Sequence, residues 1–240
     1  MNRIVDIHMH IVPDVDDGSG SLEESILLLK RSADQGVETV IATPHSWAID
    51  TCGINHVFDQ FAELKQEVQK QRISVSLHLG CEMLVYPDTV DKCIRKLDEG
   101  KFPTMANSNF VLTEFMPFNS QQHIERCTEA ILDSGYVPII AHAERYMYCS
   151  VEGIKKMKEY GVMIQINAFS IANEKDPRIR QFANDLLSER LVDFIGSDAH
   201  RMRHRPPIID DGIAVLSKLY TEEYAKHIAW DNPNNLILCR

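Results

Sequence analysis

No stretch of this chain approaches the roughly 18 uncharged apolar residues that a membrane helix needs. The start, MNRIVDIHMH, carries Arg3, Asp6, His8 and His10 where a signal peptide would have its apolar run, so secretion is not expected. The six cysteines (Cys52, Cys81, Cys93, Cys127, Cys149, Cys239) include no CxxC pair. That excludes a zinc knuckle or a dithiol motif of that type and suits reduced thiols in a cytoplasmic protein. Phosphate loops of the GxGxxG or GxxxxGK type are missing, and so are a GxSxG elbow and a Cys-x5-Arg loop. Nucleophilic serine or cysteine catalysis is therefore not indicated. Basic residues are few: 25 Lys and Arg stand against 35 Asp and Glu, a net charge of −10. Nucleic acid and anionic membranes need a basic footprint, which disfavours both as partners.

What is present reads as an ordinary soluble protein, 44% apolar and 25% charged, and the 240 residues fit a single domain over 1–240. Short apolar runs alternate with amphipathic stretches. The runs are Ile4 to His10, Val37 to Thr43, Ser74 to Glu82, Asn109 to Glu114, Val137 to His142, Val162 to Asn167 and Val192 to Ser197. Between them, apolar residues recur at the helical spacing of three and four near Asn55 to Gln71, Thr89 to Asp98, Ile124 to Ser134, Val151 to Tyr160, Arg178 to Ser188 and Ile213 to Tyr220. Ser21 and Glu24 form a capping box that opens the first helix, which stops at Gly36, and Gly135 and Gly161 stand where helix C-terminal caps belong. Strands alternating with helices predict an α/β protein with a parallel sheet. Seven such units predict a barrel, with an open doubly wound sheet as the alternative.

Metal-binding residue types fall at the strand ends: His8 and His10, His45, Glu82, Glu114, His142, Asn167, and Asp198 with His200. A parallel barrel opens all its strand C-termini on one face, so these residues would converge. His8 and His10 are two apart, which in a strand puts both side chains on one side, and Asp198 and His200 repeat the spacing. Imidazoles and carboxylates without thiolate suit Mn, Fe or Zn in a hydrolytic role. Glu82 or Glu114 is the natural bridge between ions, and Asp17 adds a further ligand from the loop. Such clusters activate water and clamp an in-line displacement. His56, His78, His123, His204 and His227 lie in helices, mid-strand or loops and are read as packed or solvated.

Arginine points to the substrate. Arg145 lies three residues beyond His142, and Arg201, Arg203 and Arg205 follow His200. Guanidinium forks match phosphate oxygens.

Eight segments carry a resemblance: Asp6-Ile-His8-Met-His10, Val15-Asp-Asp-Gly18, Glu23-Glu-Ser25, Ala42-Thr-Pro-His45, Gly80-Cys-Glu82, Ala141-His-Ala-Glu-Arg145, Gly196-Ser-Asp-Ala-His200 and Arg205-Pro-Pro207. Together they resemble the polymerase-and-histidinol-phosphatase (PHP) superfamily. Within it they are similar to the bacterial manganese-dependent tyrosine phosphatases of capsule and exopolysaccharide synthesis, along essentially the full chain. The resemblance implies a distorted (β/α)7 barrel, TIM-like, with three metals, manganese first, in its mouth. It implies His8, His10, Glu82 and Asp198 on the first ion, Glu82, Glu114 and His142 on the second, and Asp17, His45 and His200 on the third. Asp17 is chosen over Asp14 and Asp16 by this matching alone. Arg145 and Arg205 would grip phosphate while a metal-bridging hydroxide attacks phosphorus. The implied substrate is phosphotyrosine on a cognate tyrosine kinase of polysaccharide assembly. Ser46 departs from the family, which often has a second His or an aromatic residue after His45.

The alternative is a small-molecule PHP phosphatase such as histidinol-phosphate phosphatase. Phe115, Phe118, Tyr146 and Tyr148 are candidates to stack on a phenyl ring. An amidohydrolase is disfavoured because its metal-bridging Lys would stand where this chain has Glu114. A scaffold that has lost its metals is disfavoured because every ligand position holds a competent residue.

Overall fold

Alternate residues of the apolar runs pack into two different cores, as expected of strands covered on both faces. Val5, Ile7, Ile41, Leu112, Ile139 and Phe194 fall in the smaller cluster, while their neighbours Val40, Val111, Ile140 and Ile195 join the larger one with the helices. The computed structural model describes residues 3–239. Its strands are β1 (Ile4–Met9), β2 (Val37–Ala42), β3 (Ser76–Leu79), β4 (Glu82–Leu84), β5 (Phe110–Glu114), β6 (Val137–Ile140), β7 (Met163–Asn167) and β8 (Phe194–Gly196). Every ladder is parallel, in the orders β1-β2-β3 and β4-β5-β6-β7-β8. Lone parallel bridges at Met9–Ala199 and His45–Glu82 join the two sheets into a ring.

The third apolar run does not make one strand. It divides at Gly80 and Cys81: β3 bonds back to β2, and β4 bonds forward to β5. The eight segments thus occupy seven positions round a (β/α)7 barrel. The smaller cluster fills the ring and the larger one lies between strands and helices. Fully burying a side chain such as Phe194 or Ile139 is worth about 1.5–3 kcal/mol.

The helices are α1 (Leu22–Asp34), α2 (Ser46–Cys52), α3 (Ile54–Lys70), α4 (Val90–Asp98), α5 (Gln121–Asp133), α6 (Val151–Glu159), α7 (Ala168–Ala172), α8 (Pro177–Ser188), α9 (Asp210–Leu219) and α10 (Glu222–Lys226). Hydroxyls of Ser21, Ser120 and Ser150 cap α1, α5 and α6, and Asp176 caps α8 ahead of Pro177. Ser21 accepts from Glu24 N, but the Glu24 carboxylate reaches past the cap. It accepts from Gly20 N at 3.1 Å and Met202 N at 3.2 Å, which ties the loop after β8 to α1. The sequence pattern does not anticipate α2, α7 or α10, each only two turns or less. Among the described residues no helix is long and apolar enough to cross a membrane.

Candidate metal centre

β1 delivers His8 and His10 with their Nε2 atoms 3.3 Å apart. Glu82, at the start of β4, lies between them: its Oε1 is 3.3 Å from His8 Nε2 and its Oε2 is 3.2 Å from His10 Nε2. The same carboxylate meets His142 Nε2 at 2.9 Å and His45 Nδ1 at 2.9 Å. Asp198 Oδ1 stands 3.6 Å from His8 Nε2 and 3.8 Å from His10 Nε2. Glu114 faces His45 and His142, each at 3.7 Å. Asp17 Oδ1 faces His45 Nε2 at 3.4 Å and His200 Nε2 at 3.7 Å. All nine expected ligand residues therefore meet at the C-terminal end of the barrel.

Three sets have donor atoms mutually within 4.8 Å: His8, His10 and Asp198; His45, Glu82 and Glu114; and His10, Asp17, His45 and His200. The grouping differs from the implied one in its details. His45 joins the two glutamates, and His142 faces them from the other side. The remaining five histidines, His56, His78, His123, His204 and His227, belong to none of these sets.

The donor set fits divalent cations. Ligand bonds of roughly 2.1 Å meeting at about 90–110° place donor atoms about 3.0–3.4 Å apart, the spacing among His8, His10 and Glu82. Buried Glu82 Oε2, Asp198 Oδ1 and His45 Nδ1 lack a hydrogen bond, although His45 and Glu82 are close. Buried polar atoms left bare are costly unless something satisfies them. Burial would raise Glu82, yet the charge on His8 and the imidazoles of His10, His142 and His45 close around the carboxylate outweigh it and hold the carboxyl well below its usual range. Burial and the Glu82 charge push Glu114 up to about 7, a cost that a bound cation would lower. Burial, His10 and Arg205 depress His200 to about 2, which keeps it neutral and able to ligate.

Residues behind the cluster aim it. Asp16 Oδ2 accepts from His10 Nδ1 at 2.7 Å and from His45 N at 3.0 Å, and its Oδ1 accepts from Gly18 N. Asp14, Asp16 and Asp17 are thus told apart: Asp16 props the cluster from behind, Asp17 faces it, and exposed Asp14 does neither. Gln165 Oε1 accepts from His142 N at 2.8 Å and pairs with His8 Nδ1 at 3.2 Å. Its amide donates to Asn167, whose own amide donates to Asp198 Oδ2 at 2.9 Å. Asn167 is therefore bonded to an acidic ligand. The inward alternation of Gln165 and Asn167 on β7 was the only sequence signal for this chain of bonds. His142 and Asp198 both hold left-handed backbone, with φ of 34° and 54°, a strain that surrounding bonds must sustain.

The arginines divide by task. Arg145 Nη1 lies 3.1 Å from Asp198 Oδ2, and Arg205 Nη2 reaches the same oxygen while its Nη1 meets His200 Nε2 at 2.9 Å. Arg201 instead donates to the Asp17 carbonyl at 3.1 Å, so it props the ligand loop. Arg203 is exposed. Of the aromatic candidates, Phe115 and Tyr146 are buried; the Tyr146 hydroxyl accepts from Phe115 N at 3.0 Å. They pack the wall, whereas Phe118 and Tyr148 are exposed at the rim. Ser46 is buried and its hydroxyl accepts from Leu84 N.

Comparison with known proteins places the chain. The family model described as capsular polysaccharide synthesis, CpsB/CapC, matches residues 4–238. The tyrosine-protein phosphatase CpsB of Streptococcus agalactiae is 31% identical over 242 residues, covering 98% of each chain. Tyrosine-protein phosphatase YwqE of Bacillus subtilis is 27% identical over 230 residues, covering 92% of this chain and 86% of that one. A chain from the crystal structures of YwqE from Bacillus subtilis and CpsB from Streptococcus pneumoniae, described as metal-dependent tyrosine phosphatases, superposes with a TM-score of 0.84 at 25% identity. That match covers 98% of this chain and 94% of the other. A lactonase from Listeria monocytogenes, 12% identical with a TM-score of 0.64 and covering 98% of this chain and 94% of its own, shares the fold alone. The chain belongs to the CpsB/CapC family of capsular polysaccharide synthesis, within the PHP superfamily.

Proposed function

We propose that residues 1–240 form one PHP domain that hydrolyses phosphotyrosine on a protein with the help of divalent metal ions. The ligands are His8, His10, Asp17, His45, Glu82, Glu114, His142, Asp198 and His200, and manganese is the favoured ion, with room for three. Support comes from the relatives, which are named tyrosine-protein phosphatases, and from the clustered donor atoms. One observation carries the reading: Arg145 and Arg205 converge on a single oxygen of Asp198 at the edge of the cluster. Two guanidinium groups on one carboxylate oxygen leave donors to spare for a tetrahedral oxyanion.

Bound divalent ions would supply an activated water at neutral pH and offset charge on the phosphoryl oxygens. The protein's own part is positional. Arg145 and Arg205 turn donors from Asp198 toward phosphate oxygens. Asp16 and Gln165 hold the ring orientations of His10 and His8. The leaving phenol has a pKa of about 10, so an aryl ester needs little proton donation to depart. The partner in this reading is a phosphorylated tyrosine kinase of polysaccharide assembly, met in the cytoplasm, a setting that the six free thiols suit.

Assay of a phosphotyrosine peptide after chelation, and again after adding Mn²⁺, tests the reading. Loss and recovery of turnover is expected. Turnover unaffected by chelator overturns the metal dependence, and histidinol phosphate consumed far faster than the peptide overturns the substrate.

A further inference from the structure

Exposed apolar side chains and a cleft lie beside Arg145 at the mouth of the barrel. The loops after β5 and β6 are tied together where Met147 N donates to the Pro117 carbonyl. They leave Phe118, Met147 and Tyr148 between 55% and 66% exposed. Beside them runs a cleft of about 490 Å³. Its walls include Pro117, Arg145, Met147 and Cys149 on the loop side, with Ile179 and Phe182 of α8 opposite. Arg145 belongs to both places, since its guanidinium also reaches Asp198 in the metal centre. The loop after β8 carries Arg201 and Arg203, both exposed, Arg201 bonded to the Asp17 carbonyl, while Arg205 turns in to Asp198.

Single exposed apolar side chains are ordinary, but a cluster of them beside a concave site marks a surface that a ligand covers. The cleft has the size of sites that enclose small ligands, roughly 300–1,000 Å³. A histidinol phosphate held at Arg145 would not need it. Arg145 borders both the metal centre and the cleft, so a peptide whose phosphotyrosine is held there runs its neighbouring residues past the cleft.

We propose that this cleft is a subsite for the peptide flanking the phosphotyrosine, that it takes an apolar side chain, and that the arginine loop faces an acidic stretch of the same peptide. The proposal rests on the phosphatase reading and goes beyond it by naming what the substrate must carry next to the phosphorylated residue. It commits the exposed rim to an extended acidic peptide with apolar neighbours around its tyrosine.

The test compares two acidic phosphotyrosine peptides that differ only in having Leu or Ser on both sides of the phosphotyrosine, in the presence of Mn²⁺. The protein is expected to favour the Leu peptide in kcat/KM by about tenfold, the usual worth of filling an apolar pocket. In Met147→Ser, an exposed position that leaves folding intact, the ratio should fall to within about twofold, and in Phe182→Ser likewise. A variant that lost structure would slow both peptides together, so the ratio reports the cleft itself. Equal rates on the two peptides with the unaltered protein overturn the subsite, as does a preference that survives both substitutions. Para-nitrophenyl phosphate separates the two levels. A protein that turns over neither peptide nor this small ester sinks the phosphatase reading, whereas turnover of all three without preference sinks the subsite alone.

Discussion

The carboxylate of Asp16 accepts a hydrogen bond from Nδ1 of His10 at 2.7 Å. An ionised carboxylate only accepts, so in the neutral ring the proton sits on Nδ1 and the lone pair of Nε2 faces Glu82. Asp16 also accepts from His45 N, so one side chain orients ligands from two strands. Replacing it removes no ligand atom. Asp16→Ala is nevertheless expected to weaken metal binding about 10–100-fold, as losing the group behind a ligating histidine generally does. Calorimetric titration with Mn²⁺ checks this, with circular dichroism to show that the fold persists. Affinity equal to that of the unaltered protein would mean that the bond is incidental.

Arg145 and Arg205 share Asp198 but differ in their second contact. Arg205 touches His200 within the metal centre, while Arg145 opens onto the apolar cleft. Lysine keeps the charge of arginine and loses its fork. Arg145→Lys should therefore weaken inhibition by inorganic phosphate about tenfold or more, with metal content unchanged. Competition kinetics alongside elemental analysis gives both readings. A weakened phosphate accompanied by lost metal would show that Arg145 serves the cluster through Asp198 and not the substrate.

Metal should also govern stability. The cluster gathers five imidazoles and four carboxylates, several of their buried atoms without partners, and such a site exists only in the folded chain. An ion at 1,000 times its dissociation constant stabilises the folded state by about 4 kcal/mol. For a chain of this length that is a rise in Tm of about 8–16 °C. Scanning calorimetry with chelator and with excess Mn²⁺ measures it. An unchanged Tm would contradict the assignment of the cluster as a cation site.

The clustered imidazoles and carboxylates were legible in the sequence because a strand has period two and a parallel barrel has one open end. His8 with His10 and Asp198 with His200 follow from the first property, and the convergence of Glu82, Glu114 and His142 from the second. What lay outside pattern was local backbone geometry. Asp16 and Asp17 are neighbours in one loop, and only its turn at Gly18 decides which faces the cluster. The run from Ser74 to Glu82 reads as continuous because apolar spacing carries no record of which neighbour each half bonds to. Helix α2 escaped because it begins directly on the residue after His45 and has too few turns for a period to show. Phe115 and Tyr146 looked like rim aromatics by position, yet the Phe115 amide bonding to the Tyr146 hydroxyl turns both inward.

Gly196 shows how closely fold and site are joined. It lies in β8, and a Cβ built on it would come 2.8 Å from His8 Cβ and 3.1 Å from Gln165 Nε2. Neither neighbour can yield without consequence. His8 is held by Gln165, and Gln165 also fixes His142 N and, through Asn167, Asp198. One methyl group thus presses on the residues that orient three ligands. Overpacking of this kind costs about 1–3 kcal/mol, and so Gly196→Ala should lower the Tm of the chelated protein by about 2–12 °C. Because the pressure falls on His8, Mn²⁺ should recover less of that loss than it restores to the unaltered protein. Full recovery by metal would mean that the strand shifts as a unit and carries His8 with it, leaving the cluster intact.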